Sequence, residues 1–314
     1  MSSEGKMIGI VGIVGKIAWS HNRWKGFDKE GFEKRTEYRY GFVKETGIAY
    51  EWWNFYEDFN EKYYYGYVFN KKFAKFPKEG LIVFISQKLG DDRYYFVGFY
   101  GKAEHNSQNF EISNIKLEDI LPDYYKGKLP ELSGEYVERL RRDLGSTLKF
   151  PLRAPKDASA VFLEKGYVEV SLQELGVEDL KSASFSYIGE AQKIKPEKIR
   201  ELLEKAREKH EEILRNLETT EAEKEEAQRI IERIDWVLER YFRNISSSPR
   251  IYMEITKPPG EAHEKNHVGG ILWSPATEEY ANGRKGKMAL LKPGDRIIHD
   301  VKGKIVGCSI AVSY

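Results

Sequence analysis

The stretch GEAHEKNHVGGILWSP, residues 260–275, holds the side chains of this chain best suited to metal chemistry. HEKNH matches HExxH, in which two histidines one helical turn apart ligate zinc and the glutamate between them acts as general base. His263, Glu264 and His267 have that spacing, and Gly270 falls where the longer HExxHxxGxxH form places its glycine. The flanks argue against a metal centre. Pro258, Pro259 and Gly260 precede it and Gly269 and Gly270 follow, which leaves a helix little more than one turn. The third histidine of the longer form is replaced by Trp273, which cannot ligate zinc. The expectation is a polar loop running into a strand near Ile271, with no metal and no cofactor. A zinc hydrolase using His263, Glu264 and His267 is the competing reading.

A second kind of chemistry comes from rings and lysines. Between Tyr38 and Phe76 stand Trp52, Trp53, Phe55, Tyr56, Phe59, Tyr63, Tyr64, Tyr65, Tyr67, Phe69 and Phe73, with Lys62, Lys71, Lys72 and Lys75 interleaved. In extended backbone successive side chains point to opposite faces, so runs such as EWWNFYEDF and KYYYGYVF cannot turn every ring inward. Some rings should then be exposed or line a cleft. Aromatic faces beside lysines are how proteins stack bases while holding phosphates. The competing reading is a tyrosine-rich sheet with lysine stems laid along it.

These groups need elements to hold them. The 314 residues suffice for two modest domains and a connector. With 51 basic and 50 acidic residues the net charge is +1, so a nucleic-acid site would be a local patch rather than the whole surface. Rich Lys, Glu and Arg with a single cysteine suit a reducing cytoplasm and a heat-adapted source. Cys308 lies in an apolar run and reads as core. No stretch is long enough to span a membrane; MIGIVGIVGKI is short and glycine-broken and reads as a strand.

Strands are expected over residues 8–18, 80–86, 94–100, 159–162 and 167–170, and a helix over 132–144 with Ser133 as its N-cap. From Pro196 apolar residues recur at helical spacing through Leu217, and again from Ala227 to Tyr241 behind a Thr220/Glu223 capping box. This predicts a helical hairpin over 196–217 and 221–243, serving as a spacer, a packing arm or a homo-oligomerisation arm. SSSPR, residues 246–250, reads as a linker to a second β-type segment.

One pattern occurs twice. Gly15–Ser20 and Gly269–Ser274 both read G-x-I-x-W-S. Each is followed by a Lys-x-Gly turn (Lys78–Gly80, Lys292–Gly294) and then a Val-Gly pair (Val97-Gly98, Val306-Gly307). Three matches in one order suggest a duplicated module. At ILWSP, KPGDRIIH and KIVGCSIAVS the chain resembles the PUA-like superfamily, in particular its EVE and YTH branches, as found in the N-terminal region of archaeal McrB-type modification-dependent restriction proteins. The first half, with KEGLIVFIS and YFVGFYGKAEH, resembles a divergent copy. The resemblance implies an α+β chain: two PUA-like, EVE-like modules of β-barrel type, residues 1–185 and 250–314, joined by an antiparallel helical hairpin, 195–244. The second module is too short for a whole barrel, which predicts a fragment of a longer protein.

The resemblance further implies a reader rather than an enzyme: a domain that holds a flipped-out, methylated base in an aromatic cage as the specificity module of a restriction system. Its partners would be DNA, with RNA left open, and an AAA+ GTPase motor and a nuclease subunit. No G-x-x-x-x-G-K-[ST] motif occurs in this chain. The base-binding candidates are Trp19, Ser20, Asn22, Trp52 and Trp53 in the first copy and Trp273 and Ser274 in the second. Lys16, Arg23, Lys25, Lys72, Arg284, Lys285 and Lys287 are the candidates to meet phosphate. One of Trp52 and Trp53 is expected to face the pocket and the other the core. An assembly module acting through the hairpin is the third reading.

Overall fold

A computed structural model describes residues 11–68, 73, 76–171, 173, 175, 185–189 and 194–243, together with the backbone of 251–256, 296–301 and 304–310. The chain divides into two units, Met1–Ile245 and Ser246–Tyr314. The first is a mixed α+β unit. Its strands are β1 (Gly12–Ile17), β2 (Tyr63–Gly66), β3 (Gly80–Gln87), β4 (Tyr94–Lys116), β5 (Thr147–Pro155), β6 (Ser159–Val161), β7 (Val168–Val170) and β8 (Phe185–Ile188). Its helices are α1 (Lys29–Glu33), α2 (Gly41–Thr46), α3 (Asp123–Lys128), α4 (Glu135–Asp143), α5 (Pro196–Arg215) and α6 (Glu221–Phe242).

The strands form one sheet in the order β2-β5-β4-β3-β1-β8, with β6 and β7 also paired to β4. β3 runs parallel to β1 and antiparallel to β4. All of β3 but Gln87 is buried, as expected of a central strand covered on both faces. β4 is far longer than the seven residues its apolar run suggested. Its first part pairs with β3, β6 and β7, and the part beyond Ala103 pairs with β5. The join lies at Lys102, a left-handed residue (φ 49°) whose backbone N–H donates to the Tyr241 hydroxyl at 3.0 Å.

α5 and α6 begin as their sequence signals indicate, with Pro196 at the first turn and a reciprocal Thr220–Glu223 capping box. α4 starts later than read, at Glu135 behind Gly134 rather than Ser133. α5 and α6 bury Ile199, Leu203, Ala206, Ala227, Ile234 and Val237 and belong to the first unit. Polar contacts fix them to the sheet. The buried His210 ring of α5 donates through Nδ1 to Ala206 O at 2.7 Å and accepts at Nε2 from Leu163 N–H at 3.3 Å. Lys209 Nζ donates to Tyr167 O at 2.6 Å.

In the ring-rich segment Trp53 and Tyr56 border a cleft, as expected of some of its rings, but most of the rings are buried. Trp52, Trp53 and Phe55 are 0–1 % exposed, and Phe59, Tyr64, Tyr65 and Phe73 are buried too. The argument from extended backbone fails because Tyr50–Trp53 form a turn of 3-10 helix, which sends consecutive side chains in directions a strand could not. Among the described residues of this segment, only Tyr63–Gly66 is a strand.

The second unit is described by its backbone. β9 (Ile251–Thr256), β10 (Arg296–Val301) and β11 (Lys304–Ile310) form a sheet in which β10 runs parallel to β9 and antiparallel to β11. β1, β3 and β4 have the same relation. The irregularity matches as well. Phe84 pairs with Gly98 and Ile85 with Phe96, bulging out Val97; His299 pairs with Gly307 and Asp300 with Ile305, bulging out Val306. The repeated Val-Gly pair thus marks a β-bulge at the same step of both antiparallel pairs.

Candidate functional site

β1 ends at Ile17 and delivers Ala18, Trp19 and Ser20 to the edge of the sheet. The chain then makes a compact turn to Asp28. Ser20 Oγ donates to Asn22 Oδ1 at 2.6 Å and accepts from Trp24 N–H at 3.1 Å. Asn22 Nδ2 donates to Gly26 O and Phe27 O at 3.2 and 2.9 Å. Buried Asp28 accepts from the backbone N–H of His21 at 2.7 Å and of Gly31 at 2.9 Å, which caps α1. Arg23 and Trp24 are both left-handed, with φ 61° and 57°. Two such residues in succession without glycine are strained, and strain persists only where surroundings over-determine it. They do so here. Trp24 is fully buried, and its indole N–H donates to Ala18 O at 2.7 Å. Arg23 donates to Phe162 O at 2.9 Å and Val161 O at 3.2 Å, and forks onto Glu226 of α6 at 2.8 and 3.1 Å. Burial alone would raise the Glu226 carboxyl; the Arg23 hydrogen bonds and charge outweigh it and hold the group below the usual carboxylate range.

This turn supports one side of a cleft of about 200 Å³. Its aromatic lining is Trp19 from the end of β1 and Tyr38 and Tyr40 from the segment before α2. Lys16 of β1 and Lys88 of the β3–β4 turn supply ammonium groups. Trp19 O is the structural centre, accepting from the Tyr38 hydroxyl at 2.9 Å and the Trp52 indole at 2.8 Å. Lys16 Nζ donates to the Tyr94 hydroxyl at 3.2 Å and lies 5.7 Å from the Tyr40 ring centre. Lys88 Nζ lies 6.0 Å from the Trp19 ring centre. Among the described residues neither lysine has a carboxylate partner, whereas Arg39 on the rim is paired with Asp92 at 2.6 Å. Trp19 is 5 % exposed, and among the described residues nothing accepts its indole N–H. Burial, more than the nearby Asp28 charge, pushes the Tyr38 hydroxyl well above its ordinary range; burial does the same to Tyr40, so both are donors at neutral pH.

Of the sequence candidates, Lys16 and Trp19 come together in this cleft. Ser20 and Asn22 do not line it; their polar atoms are spent on the turn, so their assignment to base edges is corrected to a structural one. Arg23 is likewise not a free phosphate ligand but the ion-pair partner of Glu226, and Lys25 lies 3.5 Å from the same carboxylate. Trp52 is buried behind Trp19, and Trp53 borders a different cleft, so the two do not form the second wall of the Trp19 cleft. Lys72, Trp273, Ser274, Arg284, Lys285 and Lys287, with His263, Glu264 and His267, lie outside the described residues. Among the described residues no three His, Cys, Asp or Glu groups cluster as metal ligands, and no helix is long and apolar enough to cross a membrane. Sequence reasoning missed Tyr38, Tyr40 and Lys88. The alternation Tyr-Arg-Tyr at 38–40 and the glycine turn KLGDD after an apolar strand were the available signals. Compared with family models, curated proteins and solved structures, the chain matches none.

Proposed function

We propose that the first unit binds nucleic acid and holds one unpaired or flipped-out base in the Trp19 cleft. The observation that carries this reading is the pairing of a nearly buried indole, its N–H unused, with two ammonium groups that have no carboxylate partner. The ring offers a stacking face, the N–H a donor to a base-edge acceptor, and Lys16 and Lys88 meet the phosphate charge. A volume of about 200 Å³ is below the roughly 300–1,000 Å³ of drug-sized pockets and suits one planar ring. The base is a methylated one, in DNA, and the unit is the specificity module of a McrB-type restriction system, as the resemblance implies. A methyl group adds under about 1 kcal/mol by burial. Selectivity therefore comes from a tight fit that the unmodified base fills poorly. The two-module, PUA-like architecture belongs to the same proposal; the parallel pair and bulged antiparallel pair that recur in both units support it.

The test is a binding panel of methylated and unmodified oligonucleotides, single- and double-stranded, at fixed salt. Trp19→Ala should weaken the preferred oligonucleotide by about 1–3 kcal/mol, roughly 5- to 150-fold, the scale of one aromatic–base stack. Lys88→Ala, an exposed change, should weaken all sequences alike and flatten the salt dependence. If both variants are folded and bind as wild type, the site is elsewhere.

A further inference from the structure

A second cleft, of about 400 Å³, opens beside the first and is bordered by Trp53, Tyr56, Tyr124, Lys25, Lys29 and Asp119. Trp52 separates the two. Its ring centre lies 6.1 Å from that of Tyr38, which lines the first cleft, and 6.1 Å from that of Phe27, which lines the second. The clefts are therefore one indole apart.

Trp53 points to a ligand. It is 1 % exposed, and among the described residues nothing accepts its indole N–H. The buried indoles of Trp24 and Trp52 each donate to a backbone carbonyl. The Trp53 nitrogen is not among the buried polar atoms left without a partner, so its N–H reaches the surface of the cleft it borders and is open to a ligand acceptor. The Trp53 nitrogen lies 4.0 Å from where a β-carbon on Gly26 would sit. Gly26 borders the same cleft at φ +121°, and a side chain there would meet the Tyr56 ring at 3.1 Å. Glycine keeps this wall open in front of the indole.

The rim carries the complementary charge. Lys29 is 67 % exposed, touches Glu33 only at 3.9 Å, and holds its ammonium 5.1 Å from the centre of the 43 %-exposed Tyr124 ring. Lys25 reaches Glu226 at 3.5 Å, but that carboxylate is already engaged by Arg23 at 2.8 Å. One Asp119 oxygen accepts from Lys116 N–H at 2.8 Å, and the carboxylate can still accept from an amino group. An exposed ring, an indole N–H open to the cleft and two weakly paired ammonium groups describe a flat, hydrogen-bonding, anionic ligand.

We infer that this second cleft binds a single nucleotide, its base against Tyr124, an acceptor atom on the Trp53 indole and its phosphate between Lys25 and Lys29. Two sources share that chemistry: the neighbour of the base held at Trp19, or a free nucleoside monophosphate. The inference does not require the Trp19 reading.

The full chain is titrated calorimetrically with adenosine 5′-monophosphate and with a single-stranded adenine hexanucleotide. Tyr124→Ala and Lys29→Ala, both at exposed positions, should each weaken binding about tenfold, and Trp53→Phe, which keeps a ring but removes the donor, roughly 2- to 10-fold. Losses seen with the monophosphate identify a site for free nucleotides. Losses confined to the hexanucleotide identify the strand neighbour. The losses should persist in a Lys88→Ala background, which separates this cleft from the first whether or not the first binds a base. Wild-type affinity for both ligands in Tyr124→Ala and Lys29→Ala, or no binding of either ligand by the wild-type chain, overturns the inference.

Discussion

Cutting the Arg23–Glu226 link should release the strained turn behind Trp19. Two consecutive left-handed residues cost about 1–2 kcal/mol each, so Arg23 and Trp24 together store roughly 2–4 kcal/mol. The fork onto Glu226 is only partly exposed, 17 % on the arginine and 27 % on the glutamate, so it is not discounted as a surface pair would be. Glu226→Gln keeps the shape but loses the charge and one of the two acceptor oxygens of the fork. Hydrogen bonds to charged groups contribute about 1.5–3 kcal/mol against 0.5–1.5 for neutral ones, so this change should cost about 1–2 kcal/mol. Arg23→Ala also strands the carbonyls of Phe162 and Val161 and should cost about 2–4 kcal/mol. Arg23→Gly loses the same bonds but relaxes the φ 61° backbone. It should therefore be no worse than alanine, although glycine elsewhere is about 0.5–1 kcal/mol less stable. Urea unfolding followed by tryptophan fluorescence measures all three. If Glu226→Gln and Arg23→Ala both fall within about 0.5 kcal/mol of wild type, the pair does not secure the turn. An Arg23→Gly protein clearly weaker than Arg23→Ala would refute the strain.

The His210 ring sits buried and neutral, and burial, outweighing its bond to Ala206 O, lowers it from 6.5 to about 4. The unfolded chain binds that proton at a higher pH than the folded one. Stability should thus be full above about 6.5 and fall by up to about 3 kcal/mol as pH drops to about 4. His210→Gln should flatten the slope of urea midpoint against pH in that window, and an unchanged slope would assign it to other groups. Two glycines separate crowding from conformation. A β-carbon on Gly98 would meet Ala160 O at 2.5 Å, so Gly98→Ala should cost about 2–3 kcal/mol. Gly90 has open space but φ +73°, so Gly90→Ala should cost only about 1–2 kcal/mol, and the reverse order in thermal melts would contradict both accounts.

The legible parts of the fold were those with one dominant period. GLIVFIS could only be a buried strand, and α5 and α6 announce themselves by apolar spacing, a proline start and a capping box. Trp19 was legible as a ring closing an apolar strand. Its partners were not, because Tyr38 and Tyr40 reach the cleft from the segment before α2 and Lys88 from the β3–β4 turn, which the parallel β1–β3 pairing brings to the end of β1. Ser20 and Asn22 misled for a reason general to short polar side chains: they serve their own backbone before they serve a ligand. The ring-rich segment misled because a 3-10 turn breaks the two-face alternation assumed for it.

The Val-Gly pair is the most informative of the repeated signals, since its meaning is now geometric. At Gly98 the bulge brings β4 against β6, with Ala160 O so close that no β-carbon fits, while Val97 drops out of register with β3. A bulge bends its strand and increases the local twist. β4 carries on for many residues beyond it and changes partner from β3 to β5. In the second unit Gly307 stands opposite His299 as Gly98 stands opposite Phe84, and the strand parallel to each places Glu254 and Gly15 in the same row. Two sequences that share few residues in that row keep the same backbone irregularity at it. A bulge is a local cost retained for what it does to direction, so its recurrence at one step of the same three-strand arrangement is stronger support for a duplicated module than the short sequence matches that first suggested it.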